Sequence, residues 1–203
     1  MDSNGKSYLR LLHAVPQAPA VNVYINNKLV ANKLTYRNFT SYFPITADNL
    51  QIKVYSADSK QLLLSTTANI PDNTIFTFPL IGQLPEISLL TVEDPRIPIR
   101  PTRAYFRFGH LAPTAPAVDV TFADGTELFK NVSYKQVTDY ISLSPGTYTL
   151  ELRPAGTDQV VLYVPNITLT PNRFFSGYAI GLVNEEPSLQ LLIPLDGNSY
   201  IEF

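Results

Sequence analysis

The chain has only two histidines, His13 and His110, and they stand in the same frame. HAVPQAPAVNV begins at the first and HLAPTAPAVDV at the second, 97 residues later. An imidazole so placed offers metal ligation or a charge switch near neutral pH. Zinc would need further ligands, and the chain supplies no cysteine and no second histidine near either one. The structural alternative sets each ring at the end of the first strand of its copy. It would lie on the face of Leu9 and Leu11, or of Phe106 and Phe108. There a ring nitrogen can bond backbone in the proline-containing loop that follows and fix its path. We prefer that reading, with Pro16, Pro19, Pro113 and Pro116 in the same structural signature. No metal or other cofactor is expected.

Asn22 and Asp119 close the two signatures on the outward side of the next strand. Asp119 could join Asp124 or Asp139 around calcium, which takes clustered oxygen ligands, but no D-x-D-x-D-G loop is present. Capping loop amides is the role we favour for it, and Asp124-Gly125 reads first as a hairpin turn. Nucleophilic catalysis needs a Ser, Thr or Cys beside a positioned base, and no G-x-S-x-G elbow or such pairing occurs. The nine glycines are scattered and build no phosphate loop. A carboxylate-dependent hydrolase stays open, because two carboxylates can meet only in space. Otherwise the chain reads as no enzyme. Tyrosine is the one enriched functional type, with twelve copies. Tyr24 and Tyr55, with Tyr36 and Tyr42, are candidates for a binding face on which rings stack on sugars or anchor partners.

Charged residues make up 16% of the 203 positions, below the roughly 25% usual in soluble domains, and hydrophobic ones 45%. A net charge of −2 offers no attraction to nucleic acid or anionic lipid. No apolar run approaches a membrane helix, so no membrane insertion is expected. Met1 to Lys6 are polar and carry no signal-peptide core.

These residues need a scaffold, and the repeat shows which one. Val21, Val23 and Ile25 alternate with Asn22 and Tyr24; Val118, Val120 and Phe122 alternate with Asp119 and Thr121. The same period of two runs through Leu50, Ile52 and Val54, and through Tyr148, Leu150 and Leu152. Such alternation is a strand with one buried face. The chain is therefore predicted to be all-β: two tandem Ig-like or prealbumin-like antiparallel β-sandwich domains of about seven strands each. We expect a flexible N-terminus over 1–6, a first sandwich over 7–95, a proline-rich linker over 96–102 and a second sandwich over 103–203. Proline at every third linker position favours an extended, semi-rigid spacer. Ser144-Pro145-Gly146-Thr147 suits a type II turn, and its counterpart at 46–49 has lost both Pro and Gly. The alternation after Gly197 predicts a last strand that pairs with the edge of its own copy or is donated to a neighbour.

The His-x-x-Pro-x-Ala-Pro-Ala-Val-Asp/Asn-Val signature carries a family resemblance. With the Gly-Thr-Tyr-Thr-Leu-Glu-Leu-Arg-Pro-Ala-Gly-Thr stretch and the closing Leu-rich strand, it resembles the bacterial domain-of-unknown-function family 4397. The likeness spans 7–95 and 103–196 and is stronger in the second copy. It implies a β-sandwich, an envelope-facing context and no catalytic residues. The preferred function is thus a non-enzymatic structural or adhesive module of a bacterial surface layer. Its place would be the cell surface, extracellular, or the spore surface, which is reached without a signal peptide. Other surface proteins or further copies of the chain would be its partners. A ligand-binding module, in the first place for carbohydrate, is the alternative.

Overall fold

The structure, a computed structural model, describes residues 5–46 and 48–203. Contacts divide the chain into two units, Met1–Arg96 with Tyr200–Phe203, and Ile97–Ser199. In the first unit one sheet runs β4 (Phe43–Thr46), β1 (Lys6–His13), β7 (Ile75–Gln83), β8 (Glu86–Leu89), with β9 (Val92–Glu93) also on β7. Its other sheet runs β3 (Lys28–Leu34), β2 (Val21–Ile25), β5 (Asp48–Ser56), β6 (Leu62–Ile70). The second unit repeats the plan. One sheet runs β13 (Ile141–Leu143), β10 (Ala104–His110), β16 (Phe174–Ile180), β17 (Gln190–Leu192). The other runs β12 (Glu127–Val132), β11 (Val118–Phe122), β14 (Gly146–Pro154), β15 (Leu162–Leu169).

The inward residues of β2 and β5, Val21, Val23, Ile25, Leu50, Ile52 and Val54, meet Leu9, Leu11, Phe78 and Leu80 of the facing sheet. Val118, Val120, Leu150 and Leu152 do the same with Phe106 and Phe108. Full burial of each such side chain contributes roughly 1.5–3 kcal/mol. Strand β1 is buried on both faces. Its outward Arg10 lies under the rings of Phe39 and Tyr42, at 4.9 and 4.7 Å, and Leu12 bridges to Phe39.

Four expectations are corrected. One sheet in each unit is mixed, since β1 pairs parallel with β7 and β10 with β16, while the other sheet of each unit is antiparallel throughout. The described strands number nine and eight, because pieces of two to four residues are too short for alternation to register. Ser144–Thr147 is no type II turn, because Gly146 lacks the positive φ that the third position of one requires. The tail takes no strand. Tyr200 packs edge-on to Tyr42 at 6.1 Å, Phe203 to Tyr8 at 5.5 Å, and Arg96 lies 3.8 Å over the Phe203 ring. All these partners belong to the first unit, whereas the sequence boundaries put the tail with the second. The aromatic and cationic partners of the two rings account for the difference.

Asp124-Gly125 does turn the β11–β12 hairpin, with φ +86 at Gly125. Its counterpart, Asn26-Asn27, holds both residues at positive φ, as a two-residue type I′ turn requires. The linker carries no strand or helix, and the Tyr105 hydroxyl accepts from Arg100 N at 2.7 Å. Residues 1–4 of the expected N-terminal arm, and Ala47 in the 46–49 turn, lie outside the described residues. Lys6, also placed in that arm, is instead the first residue of β1. Among the described residues no helix is long and apolar enough to cross a membrane.

Candidate functional site

The alternation that buries Val23 and Val54 turns Asn22, Tyr24, Lys53 and Tyr55 outward on neighbouring strands. Register sets Asn22 opposite Tyr55 and Tyr24 opposite Lys53. The two tyrosine rings meet edge to face, 5.7 Å apart and 87° to one another. With Asn27, Ser56 and Lys60 these residues line a groove of about 420 Å³. Asn22 Oδ1 accepts from Lys33 N at 2.8 Å, so its amide NH2 remains available to donate. Among the described residues no carboxylate lies within ion-pair distance of Lys53 or Lys60. Tyr36 and Tyr42, expected on the same face, are elsewhere. Tyr36 packs edge-on to His13 at 6.2 Å, and Tyr42 covers Arg10.

The equivalent face of the second unit is different. There Asp119 opposes Arg153 and Thr121 opposes Glu151. Arg153 pairs with Glu151 at 2.6 Å and reaches Asp158 at 3.8 Å, so its charge is answered from within the face. Asp119 accepts from Gly156 N at 2.8 Å and Asn131 N at 2.7 Å. The Gly156 amide, above all, holds the Asp119 carboxyl below the usual carboxylate range. Both its oxygens therefore fasten the β12 irregularity and the turn after β14. Asp124 Oδ1 accepts from Thr126 N at 2.8 Å. Among the described residues no three His, Asp or Glu side chains are grouped to hold a metal ion.

His13 and His110 are fully buried. Each ring bonds the loop that follows it, Nε2 of His13 to Pro19 O at 3.0 Å and Nε2 of His110 to Pro116 O at 2.8 Å. Each backbone is also clamped: Arg37 N donates to His13 O, and Lys135 N to His110 O, both at 2.8 Å. Pro16 and Pro113 open the turns inside these loops. Burial pushes both imidazoles below 6.5 and outweighs the upward pull of the proline carbonyls.

One constellation escaped the sequence reading. In the first unit Arg10 Nε donates to Thr77 Oγ1 at 2.9 Å, and Thr77 Oγ1 to Asp94 Oδ2 at 3.3 Å. Tyr42 completes it by donating to the same carboxylate oxygen at 2.5 Å. In the second unit Arg107 Nε donates to Ser176 Oγ at 2.7 Å, and Ser176 Oγ to Asp196 Oδ2 at 2.6 Å. Tyr140 donates to Asp196 at 2.6 Å, while its ring lies 4.5 Å from the Arg107 guanidinium carbon. Arg10, Thr77, Asp94, Arg107, Ser176 and Asp196 are all at most 4% exposed. The signal available was an arginine between apolar neighbours in each first strand, Leu9 and Leu11 or Phe106 and Phe108, at the same spacing as the histidines.

Repeat, sheets and site together define a tandem β-sandwich protein. The family model described as a domain of unknown function, DUF4397, matches residues 7–121 and 121–200, and the chain belongs to that family. No curated protein matches it. Among solved structures it is similar to the CBM26 carbohydrate-binding module CBMbc of Eubacterium rectale Amy13K, solved with maltoheptaose. There the identity is 7%, with 95% of this chain and 99% of that one covered and a TM-score of 0.31. The TIE protein of Bacillus anthracis shares 10% identity over 92% of this chain and 34% of that one, with a TM-score of 0.28. A candidate cell adhesion protein of Bacteroides eggerthii shares 8% over 95% of each, with a TM-score of 0.27. At these scores the likenesses carry no argument about ligand or role.

Proposed function

We propose that this protein is a non-enzymatic adhesive module of a bacterial surface layer, cell envelope or spore surface, that joins other molecules through a sheet edge. The observation behind this is β6. An edge strand presents unpaired backbone groups, and proteins normally guard it with charge, proline, a bulge or shortness. Edge strand β15 has Pro165 and a register break with Asn166 at φ +60. Strands β3, β8 and β12 carry charge, β4 carries Pro44, and β13 and β17 have three residues each. Strand β6, LLLSTTANI, is nine residues long without charge or proline. Its register with β5 breaks once, near the start of the strand between Leu62 and Leu64, and then runs unbroken to Ile70. Such an edge suits pairing with another strand.

Light scattering over a concentration series tests this. The apparent mass of the full chain should rise with concentration, and the chain should bind isolated bacterial surfaces without turnover. The variant S65K/T67K, which charges two exposed β6 positions, should stay monomeric. A wild-type monomer at every concentration that also ignores such surfaces overturns the proposal.

A second reading, a ligand-binding module for carbohydrate, is favoured by the Tyr24–Tyr55 groove. Hydrolysis by paired carboxylates has less behind it, because the buried Asp94 and Asp196 are each bonded to tyrosine and Thr or Ser hydroxyls.

A further inference from the structure

We infer that the Tyr24–Tyr55 groove is a site for an acidic glycan, one whose sugar rings bear carboxylates. This rests on the ligand-binding reading above and adds the charge of the ligand.

The wall contains two kinds of group. Tyr24 and Tyr55 form an aromatic corner, rings 5.7 Å apart, against which the apolar face of a pyranose can lie. Lys53, Lys60 and the free amide NH2 of Asn22 are donors, and no acid stands among the lining residues. A neutral sugar would meet two ammonium groups with no counter-charge. A uronic acid would answer them, and charge-assisted hydrogen bonds are shorter and stronger than neutral ones. The volume of about 420 Å³ falls within the range of small-ligand sites.

The second unit supplies the contrast inside the same chain. Where the first has Tyr55 and Lys53, it has Arg153 and Glu151, already joined at 2.6 Å. Where the first has an amide able to donate, it has Asp119, with both oxygens occupied by backbone N–H groups. One fold therefore presents an open cationic corner and, at the equivalent positions, a face whose Arg153 is already paired. Folding alone does not require the unpaired lysines, since the second unit does without them. Single-stranded nucleic acid is a poorer match. It calls for a cationic groove that tracks the backbone and a succession of ring platforms, and two perpendicular tyrosines provide neither.

The test uses the full chain and two probes with the same sugar backbone, trigalacturonate and its fully methyl-esterified form, titrated calorimetrically at low salt. The acid should bind about tenfold more tightly than the ester, and the preference should shrink at high salt as screening grows. K53Q/K60Q should bring acid binding down to the level of ester binding, with an unchanged melting temperature. Y24A should weaken both probes. Equal binding of acid and ester overturns the acidic-glycan assignment and leaves a neutral sugar site. Binding of neither overturns the assignment together with the carbohydrate reading.

Discussion

The Tyr140 hydroxyl reaches across 56 residues of chain to Asp196 Oδ2 at 2.6 Å, and Arg107 approaches that same oxygen at 3.8 Å. Both charged groups are buried, Arg107 at 3% and Asp196 at 0% exposure. A buried ion pair is costly to assemble and costlier to break by halves. The loop that ends at Tyr140 is thereby bonded to the segment that ends the second sandwich.

Removing the acid should show this. Asp196→Ala leaves a guanidinium uncompensated and should destabilise the second unit by about 3–5 kcal/mol. Tyr140→Phe, which removes one hydrogen bond to a charged group, should cost about 1.5–3 kcal/mol. Urea unfolding followed by circular dichroism measures both. Losses below half a kcal/mol in both variants would show that the cluster is not a fastening.

Acid should weaken the fold through the histidines. Burial holds both imidazoles below 6.5 in the native state, whereas the unfolded chain protonates near that value. Above pH 6.5 both states are neutral and stability is full. Below it the unfolded chain binds protons that the native state does not, and stability falls until the native pKa is reached. The double variant H13N/H110N should be less stable overall, yet its stability should depend less on pH between 6.5 and 5.5. An unchanged slope would assign the acid sensitivity to carboxylates. Added zinc should leave the melting temperature where it was.

Separate production of 1–98 and 99–203 should give two cooperatively melting β-proteins. The first core falls within residues 9–80 and the second within 104–179, so neither fragment lacks core residues of its own. Fragment 1–98 loses the tail rings that pack on Tyr8 and Tyr42, and should bind a peptide ending in Tyr-Ile-Glu-Phe. If either fragment is soluble but unstructured, the two cores depend on each other.

Much of this was legible in the residues. Alternation placed the inward Val, Ile and Leu of β2 and β5, and the repeat aligned the histidines. The outward Tyr24 and Tyr55 followed from the same period of two. Pairings between distant strands left no local trace, which is why the parallel β1–β7 contact was missed. Tyr42 and Tyr140 stand 98 residues apart, one step off the histidine frame. Their outward or inward sense depends on where the 35–42 segment folds back over β1, and no local pattern states that. Asp94, beside the proline-rich stretch, reads as solvated chain until Tyr42 and Thr77 are brought to it. The tail misled because alternation alone does not say which surface will receive its rings.

The unguarded edge sets a valency. A molecule with one free strand can join one partner by that strand, and two copies meeting edge to edge satisfy each other around a two-fold axis. Growth by β6 alone would therefore stop at a pair, since each union consumes the edge that made it. Extending such pairs into a continuous coat requires a second, chemically different attachment on the same chain. Pairing would then double the number of grooves per particle, so that weak individual contacts with a polymeric surface add up to durable attachment.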